Sequence, residues 1–175
     1  MKIRNLLLST VVLFVFLTGT ALAEPKSGFS WNIGSVSHNR TCSAGCATKT
    51  SGVSLGLDYQ FALSDKFSIN PFLMTSSESV QGFSTITASH GILGAQLRYW
   101  LGDIFIGAHV GSYSEVFSSS GTSLTASGTG SGLVAGWEQS KGGYYLMGQV
   151  DNANVTNSGV TVPISAVRLS LGYRW

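Results

Sequence analysis

Residues 52–61 alternate without exception between apolar side chains and small or polar ones. One face carries Val53, Leu55, Leu57, Tyr59 and Phe61, and the other carries Gly52, Ser54, Gly56, Asp58 and Gln60. Successive side chains of a β-strand point to opposite sides of its sheet, so a period of two predicts a strand with one apolar face. The length of ten residues matches a tilted strand that crosses a membrane, which needs ~9–11 residues.

The same alternation recurs along the rest of the chain. In residues 166–175 it is again clear, and its apolar set ends on Trp175. Residues 67–75 show it less clearly, because Pro71 removes a backbone donor from the sheet. The pattern predicts an all-β fold, an eight-stranded antiparallel transmembrane β-barrel. The predicted strands are 28–37, 52–61, 67–75, 91–101, 103–113, 130–139, 143–152 and 166–175.

Short and long connections between the predicted strands follow each other in turn. Short turns are expected at 63–66, 102–103 and 140–142, and long polar loops at 38–51, 76–90, 114–129 and 153–161. Membrane barrels have short periplasmic turns and longer extracellular loops, so both termini are expected on the periplasmic side. An aromatic girdle is expected at the same side. Its predicted members are Tyr59, Phe61, Tyr99, Trp100, Trp137, Tyr144, Tyr173 and Trp175, with Phe83, Tyr113 and Phe117 on the loop side.

The alternative is a water-soluble barrel of the lipocalin type, which has an apolar interior and a polar exterior. Charged residues make up 10% of this chain, well below the ~25% of an ordinary soluble domain. The polar faces of the predicted strands are built mainly of Gly, Ser, Asn and Gln, whereas a surface in contact with water usually carries more Lys and Glu. The composition therefore favours the membrane barrel.

The first 23 residues have the layout of a secretory signal peptide. Lys2 and Arg4 precede an apolar run at 6–17, and Ala21-Leu22-Ala23 forms a cleavage site. We expect cleavage after Ala23, which divides the chain into a signal peptide, 1–23, and a barrel domain, 24–175. Removing Lys2 and Arg4 brings the net charge of +2 to zero, so no nucleic-acid partner is expected.

Two segments resemble a known family. Residues 167–175 look like the C-terminal β-signal of outer-membrane proteins, and residues 91–111 resemble a central hairpin of the small OmpA/OmpX-like outer-membrane barrels. The resemblance implies a bacterial outer-membrane location and a lipid or lipopolysaccharide environment, and we expect a monomer. It also implies that the assembly machinery reads the last strand. The residues that carry this signal are Leu169, Leu171, Tyr173 and Trp175.

The resemblance specifies architecture better than activity, because function in such barrels resides in sites added to the scaffold. We expect a structural or surface-interaction role, such as adhesion or host contact, in which the extracellular loops hold any ligand of the cell surface. A small gated pore is the alternative, and a lipid A-modifying enzyme is a third possibility.

Five charged side chains are predicted to point into the barrel. They are Asp58, Arg98, Glu138, Asp151 and Arg168. The interior of an eight-stranded barrel is just wide enough for side chains to fill it, so charges inside must pair. The expected result is a salt-bridged plug. The alternative is a narrow pore that opens when an arginine changes its carboxylate partner.

The histidines are the candidates for catalysis. Some small outer-membrane barrels modify lipid A, and such chemistry needs a serine activated by a histidine. His38 and His90 each follow a serine directly, Ser37 and Ser89, but adjacent strand residues face opposite sides and cannot pair. We expect His109 to be a lone lumenal histidine, and we expect no enzyme activity.

The first long loop carries the two cysteines of the chain. His38, Cys42 and Cys46 could together hold a metal or haem. In the oxidising compartment reached after export, a disulfide between Cys42 and Cys46 is favoured instead. We therefore expect no metal and no cofactor.

Overall fold

A computed structural model describes residues 25–41, 47–80, 83–119, 122–139 and 143–175. They form eight strands that close into one barrel, with every neighbouring pair antiparallel. The strands are β1 Gly28–Thr41, β2 Ala47–Ala62, β3 Phe67–Val80, β4 Phe83–Leu101, β5 Ile104–Ser119, β6 Thr122–Glu138, β7 Gly143–Asn157 and β8 Val160–Arg174. The predicted fold class is confirmed. Among these residues, no helix is long and apolar enough to cross a membrane.

The barrel closes where β1 pairs with β8. Trp31 lies opposite Tyr173 in this pair, and Ile33 lies opposite Leu171. The backbone N–H of Trp175 donates to the carbonyl oxygen of Phe29 at 3.2 Å, and the two rings meet edge to face with centroids 5.3 Å apart. No strand of the sheet is left with a free edge, which removes the usual route to edge-to-edge aggregation.

The wall of the barrel is polar inside and apolar outside. The apolar residues of the strict alternation in β2 are exposed, as Leu55 at 53% and Leu57 at 45% show, while Ser54 and Asp58 beside them are buried. A water-soluble barrel has the opposite arrangement, so lipid is the medium that this exterior fits. On β2 the apolar face runs over 53–61, and nine residues at ~3.4 Å each with a ~40° tilt give a height of roughly 20 Å, close to the apolar band of membrane barrels.

The strands are longer than the sequence predicted, and the expected long loops are mostly strand. β3 continues to Val80 and β4 begins at Phe83, so most of the predicted loop 76–90 belongs to two paired strands. The same correction applies to 38–51, 114–129 and 153–161. β7 and β8 are joined by the tight turn Ser158-Gly159, in which both residues have positive φ, 46° and 84°, as a two-residue hairpin of type I′ requires.

We call the end of the barrel that carries Trp175 and the turns at 63–66 and 102–103 the near end, and the opposite end the far end. The girdle at the near end includes ring pairs such as Tyr144 with Tyr173, 5.3 Å apart. Two of the aromatic residues named for the two ends face the lumen and not the lipid. Trp100 faces the lumen, where its Nε1 donates to Ser68 Oγ at 3.0 Å, and Tyr113 is also buried inside. Both hold inward positions in the alternation, which decides their direction.

Candidate functional site: the filled lumen

A charge network occupies the near end of the lumen. Arg174 donates from Nε to Glu138 Oε1 at 2.9 Å and from Nη1 to Asp58 Oδ1 at 3.4 Å. Asp58 also accepts from Ser30 Oγ at 2.6 Å and from Asn70 Nδ2 at 3.1 Å. Arg174 thus links two of the predicted lumenal carboxylates, although it was not among the predicted network residues. We call Asp58, Glu138 and Arg174 the near network.

Arg98 was predicted to join this network, but its close contacts are with neutral groups. Its Nε donates to Gln96 Oε1 at 2.5 Å and its Nη1 to Gln60 Oε1 at 3.4 Å. The guanidinium lies over the ring of Phe105, 4.5 Å from the centroid, and Nη2 lies 3.8 Å from the sulfur of Met147. Stacking on an aromatic face is a favourable position for a desolvated guanidinium.

An apolar cluster lies between this region and the far half of the lumen. It contains buried aromatic, sulfur-containing and aliphatic side chains, among them Phe72, Phe105, Val134 and Met147. Phe105 and Met147 contact Arg98 on one side, and Phe72 packs edge to face against His109 on the other, with centroids 5.5 Å apart. These contacts place packed apolar side chains between Arg98 and His109.

A second charge network begins beyond that layer. Arg168 pairs through Nη1 with Asp151 Oδ2, which joins two predicted lumenal residues. Asp151 Oδ1 lies 2.7 Å from His109 Nε2 and accepts from Gln149 Nε2 at 2.8 Å. Arg168 also donates from Nη2 to His38 Nε2 at 3.2 Å, and this contact connects the pair to the far end.

The far end of the lumen holds charges that sequence reasoning did not assign. Arg40 donates to Glu115 from both Nε, at 2.6 Å, and Nη2, and its Nη2 lies 3.6 Å from Glu78 Oε2. Glu78 accepts from His38 Nδ1 at 2.8 Å. The ring of His90 lies 4.4 Å from that of His38, and its Nδ1 is 3.5 Å from Glu115. We call His38, Arg40, Glu78, His90 and Glu115, together with Asp151 and Arg168, the far network.

The far network was predicted only for Asp151 and Arg168, because the contrast between the two faces disappears around its other members. His38 and Arg40 continue the inward positions of β1, but their outward neighbours Ser37 and Asn39 are polar as well. A search for apolar-polar alternation stops where the apolar face ends. Alternate residues of β1 continue to point inward beyond Ile33. Extending this alternation along the strand would have predicted that His38 and Arg40 face the lumen.

His38 lies beyond the apolar band, where it is buried among charges. Burial lowers its pKa to about 4, because the desolvation cost and the nearby His90 and Arg168 outweigh the hydrogen bond to Glu78. The pKa of Glu78 is about 2, because the hydrogen bonds from His38, Ser76 and Thr50 outweigh the desolvation that would raise it. At neutral pH His38 is therefore neutral, donating through Nδ1 and accepting through Nε2.

The remaining candidate residues have the following places. His38 and His90 point into the lumen, whereas Ser37 and Ser89 are exposed on the outer wall. In the described ranges, no group of three or more His, Cys, Asp or Glu side chains is arranged to hold a metal ion. The signal peptide 1–23, Cys42 and Cys46 lie outside the described residues.

The residues of the predicted assembly signal lie on β8 and at its end. Leu169, Leu171 and Trp175 are exposed on the outer wall, Tyr173 faces the same way, and β8 holds them in register with β1 and β7. The residues of the predicted signal therefore lie on the strand that closes the barrel.

An inside-out, closed, eight-stranded barrel with a filled lumen defines a fold class, the small transmembrane β-barrels. Neither a family model nor a curated protein matches the chain. Among solved structures, it is similar to Ail, the attachment invasion locus protein of Yersinia pestis, with 16% identity and a TM-score of 0.56 over 86% of this chain and 100% of that one. A second structure of Ail, in complex with the heparin analogue sucrose octasulfate, matches with a TM-score of 0.55. Neisserial surface protein A, NspA, matches with 10% identity and a TM-score of 0.61 over 86% of this chain and 100% of that one. At such identities the likeness shows the fold.

Proposed function

We propose that this chain is a non-conducting, non-enzymatic outer-membrane protein that acts through the rim at the far end of its barrel. The observation that carries the proposal is the filled lumen. Two ion-paired networks and the apolar layer between them occupy it, and residues such as Phe105 and Tyr145 are fully buried. A narrow barrel blocked by packed side chains and paired charges has no continuous aqueous path.

The far end is the part of the barrel best placed to meet a partner. It stands beyond the apolar band on paired strands, which carry the rim past the lipid-facing part of the wall. Leu124 on β6 and Val160 on β8 are 62% and 58% exposed there. Exposed apolar side chains on a rigid support suit contact with another protein. This supports a surface-interaction role, with the far end assigned to the outside of the cell.

Similarity to Ail favours adhesion, since attachment is in the name of that protein. The ligand class has to differ from the heparin analogue bound by Ail. Sulfate groups are recognised by Arg and Lys, and the described outer wall beyond the apolar band carries one such residue, Lys49. We infer that the partner is a protein whose surface contacts Leu124 and Val160 on this rim.

Adherence of bacteria that display the full chain tests the role. Cells with the wild-type protein should adhere to host cells or to immobilised matrix proteins more than cells with an empty vector. Replacing Leu124 and Val160 together by Ser should remove most of that gain. Val116→Ser, the same kind of change on the wall of β5, is the matched control and should leave adherence unchanged. Equal adherence of all four strains would overturn the proposed role.

Conductance of the purified protein in planar bilayers tests the sealed lumen. We expect no channel openings at neutral pH for the wild-type protein. Phe72→Ala combined with Met147→Ala removes two side chains of the apolar layer and should give measurable openings. Regular single-channel steps in the wild-type protein would contradict the proposal and favour a pore.

A further inference from the structure

The outer wall changes character sharply where the apolar band ends. Beyond it lie the outward positions of 35–41, 49–51, 75–79, 87–91, 112–118, 123–131, 152–156 and 161–165. We call these positions the hydroxyl belt, because each is Ser, Thr or Asn except Lys49, Gly91, Val116 and Pro163. The belt follows directly on the band in all eight strands and is exposed along nearly its whole length.

The belt is almost entirely uncharged, whereas the inner face of the barrel at the same height carries charged side chains. Glu78 lies between Ser77 and Ser79 in sequence and is buried, and Arg40 is buried between Asn39 and Thr41. Placing charges inside costs desolvation energy, whereas exposing them to water costs little. A wall in contact with water usually carries ~25–35% Lys, Arg, Glu and Asp. Ordinary hydration does not explain a wall that keeps its charges inside and its neutral groups outside.

The height of the belt indicates what lies against it. Seven residues, such as 35–41, rise by roughly 15–20 Å at ~3.3 Å per residue and a ~40° tilt. Because the belt continues the lipid-facing band, it stands at the level of the glycolipid headgroups and core sugars of an outer leaflet. The phosphates at that level would call for Arg or Lys, whereas sugar hydroxyls both donate and accept, as Ser, Thr and Asn do.

We propose that the hydroxyl belt is a lateral contact surface for the uncharged sugar units of the outer-leaflet glycolipids, which it binds by hydrogen bonds. The proposal rests on the outer-membrane location given under the proposed function, but not on the role of the rim. Ser and Thr suit this contact because their short side chains lose little conformational entropy on binding and let a sugar ring approach the sheet. Cross-strand pairs order part of the belt, with Thr156 and Thr161 2.9 Å apart and Ser165 donating to Asn152 at 3.1 Å.

Reconstitution of the full mature chain in three bilayers tests the proposal. The first contains phospholipid alone, the second adds glycolipid cut back to its phosphorylated lipid anchor, and the third adds glycolipid with its complete core sugars. The midpoint of thermal unfolding, followed by the change in gel migration of heated samples, should be higher in the third bilayer than in the second. The increase should survive EDTA and high salt, because neither breaks hydrogen bonds between uncharged groups.

Matched variants assign the increase to the belt. Ser77→Ala, Ser89→Ala and Ser114→Ala together remove three neighbouring hydroxyls from β3, β4 and β5, and should lose more than half of the sugar-dependent increase without changing the midpoint in phospholipid. Ser77→Thr, Ser89→Thr and Ser114→Thr keep the hydroxyls and should keep the increase.

Four results would overturn the proposal. Equal midpoints in the second and third bilayers would show that the sugars do not bind. Loss of the increase in EDTA would assign it to phosphates bridged by cations. An increase that scales with protein density would point to a second copy of the chain, and the same increase from a free neutral oligosaccharide would point to soluble glycan binding. Adherence and conductance are measured separately, so failure of the rim's role leaves this test unchanged.

Discussion

Replacing Arg174 should lower the free energy of unfolding of the barrel strongly. It is buried and holds both Asp58 and Glu138. Arg174→Met keeps much of the side-chain volume but removes the cation that contacts both carboxylates. Removing one partner of a buried ion pair costs ~3–5 kcal/mol, because the remaining charge stays desolvated. We expect a loss of stability of this size.

Unfolding in urea from a refolded, membrane-embedded sample gives the measurement and avoids any effect on assembly in cells. With a slope of ~1–3 kcal/mol per M, a loss of ~4 kcal/mol moves the midpoint down by roughly 1–4 M. Combining Arg174→Met with Asp58→Asn and Glu138→Gln should recover most of the loss, because neutral groups of similar shape can replace a buried ion pair at little cost. The amide oxygen at position 58 can still accept from Ser30.

Lys49→Met is the matched control for the loss of a cation, because Lys49 is exposed on the outer wall. It should change stability by less than ~0.5 kcal/mol. A loss below ~1 kcal/mol for Arg174→Met, or a triple variant no more stable than the single one, would refute the view that Arg174 neutralises two buried carboxylates.

Three further predictions concern the far network, the last strand and the cysteines. The pKa of His38 falls from 6.5 to about 4 on folding, so the folded state binds fewer protons than the unfolded state, and stability should decrease as the pH falls from 6.5 towards 4. His38→Gln should flatten this part of the pH profile in urea unfolding at stepped pH, and an unchanged slope would count against the assignment. Deleting Trp175 should lower the amount of protein in outer-membrane fractions far more than it lowers the stability of refolded protein, and normal levels would contradict its place in an assembly signal. Cys42 and Cys46 should be unreactive towards a thiol reagent in exported protein until a reductant is added, and immediate reaction would exclude the disulfide.

The sequence was most informative where the two faces of a strand differ most. Residues 52–61 and 166–175 have one face for lipid and one for the lumen, so period and length together indicated membrane-spanning strands. The inward direction of Trp100 followed from the same parity, yet its aromatic character placed it in the girdle. Parity is the stronger signal. Turning Trp100 outward by a shift of one residue would turn all the side chains of β4 to the opposite face of the sheet.

The partners of the lumenal charges could not be predicted from parity. Parity places Asp58 and Arg98 inside, but the stagger of the strands decides which inward residues meet. In the barrel Asp58 reaches across β1 to Arg174 on β8, while Arg98 contacts Gln60 and Gln96. That stagger depends on the register of all eight pairs of strands, which no single segment of the sequence contains.

The same reasoning explains how a chain 16% identical to Ail can share its fold. A membrane barrel constrains the class of side chain at alternate positions, because lipid tolerates almost any apolar residue on the outside. The residues inside the barrel are constrained by the need to pair charges. Each buried charge needs a partner of opposite charge, but a residue on any of several strands can supply it. Arg174 shows this freedom, because β8 supplies the cation for carboxylates of β2 and β6. Sequence identity can therefore fall far while the alternation persists, and the positions that should distinguish one such barrel from another are those beyond the apolar band.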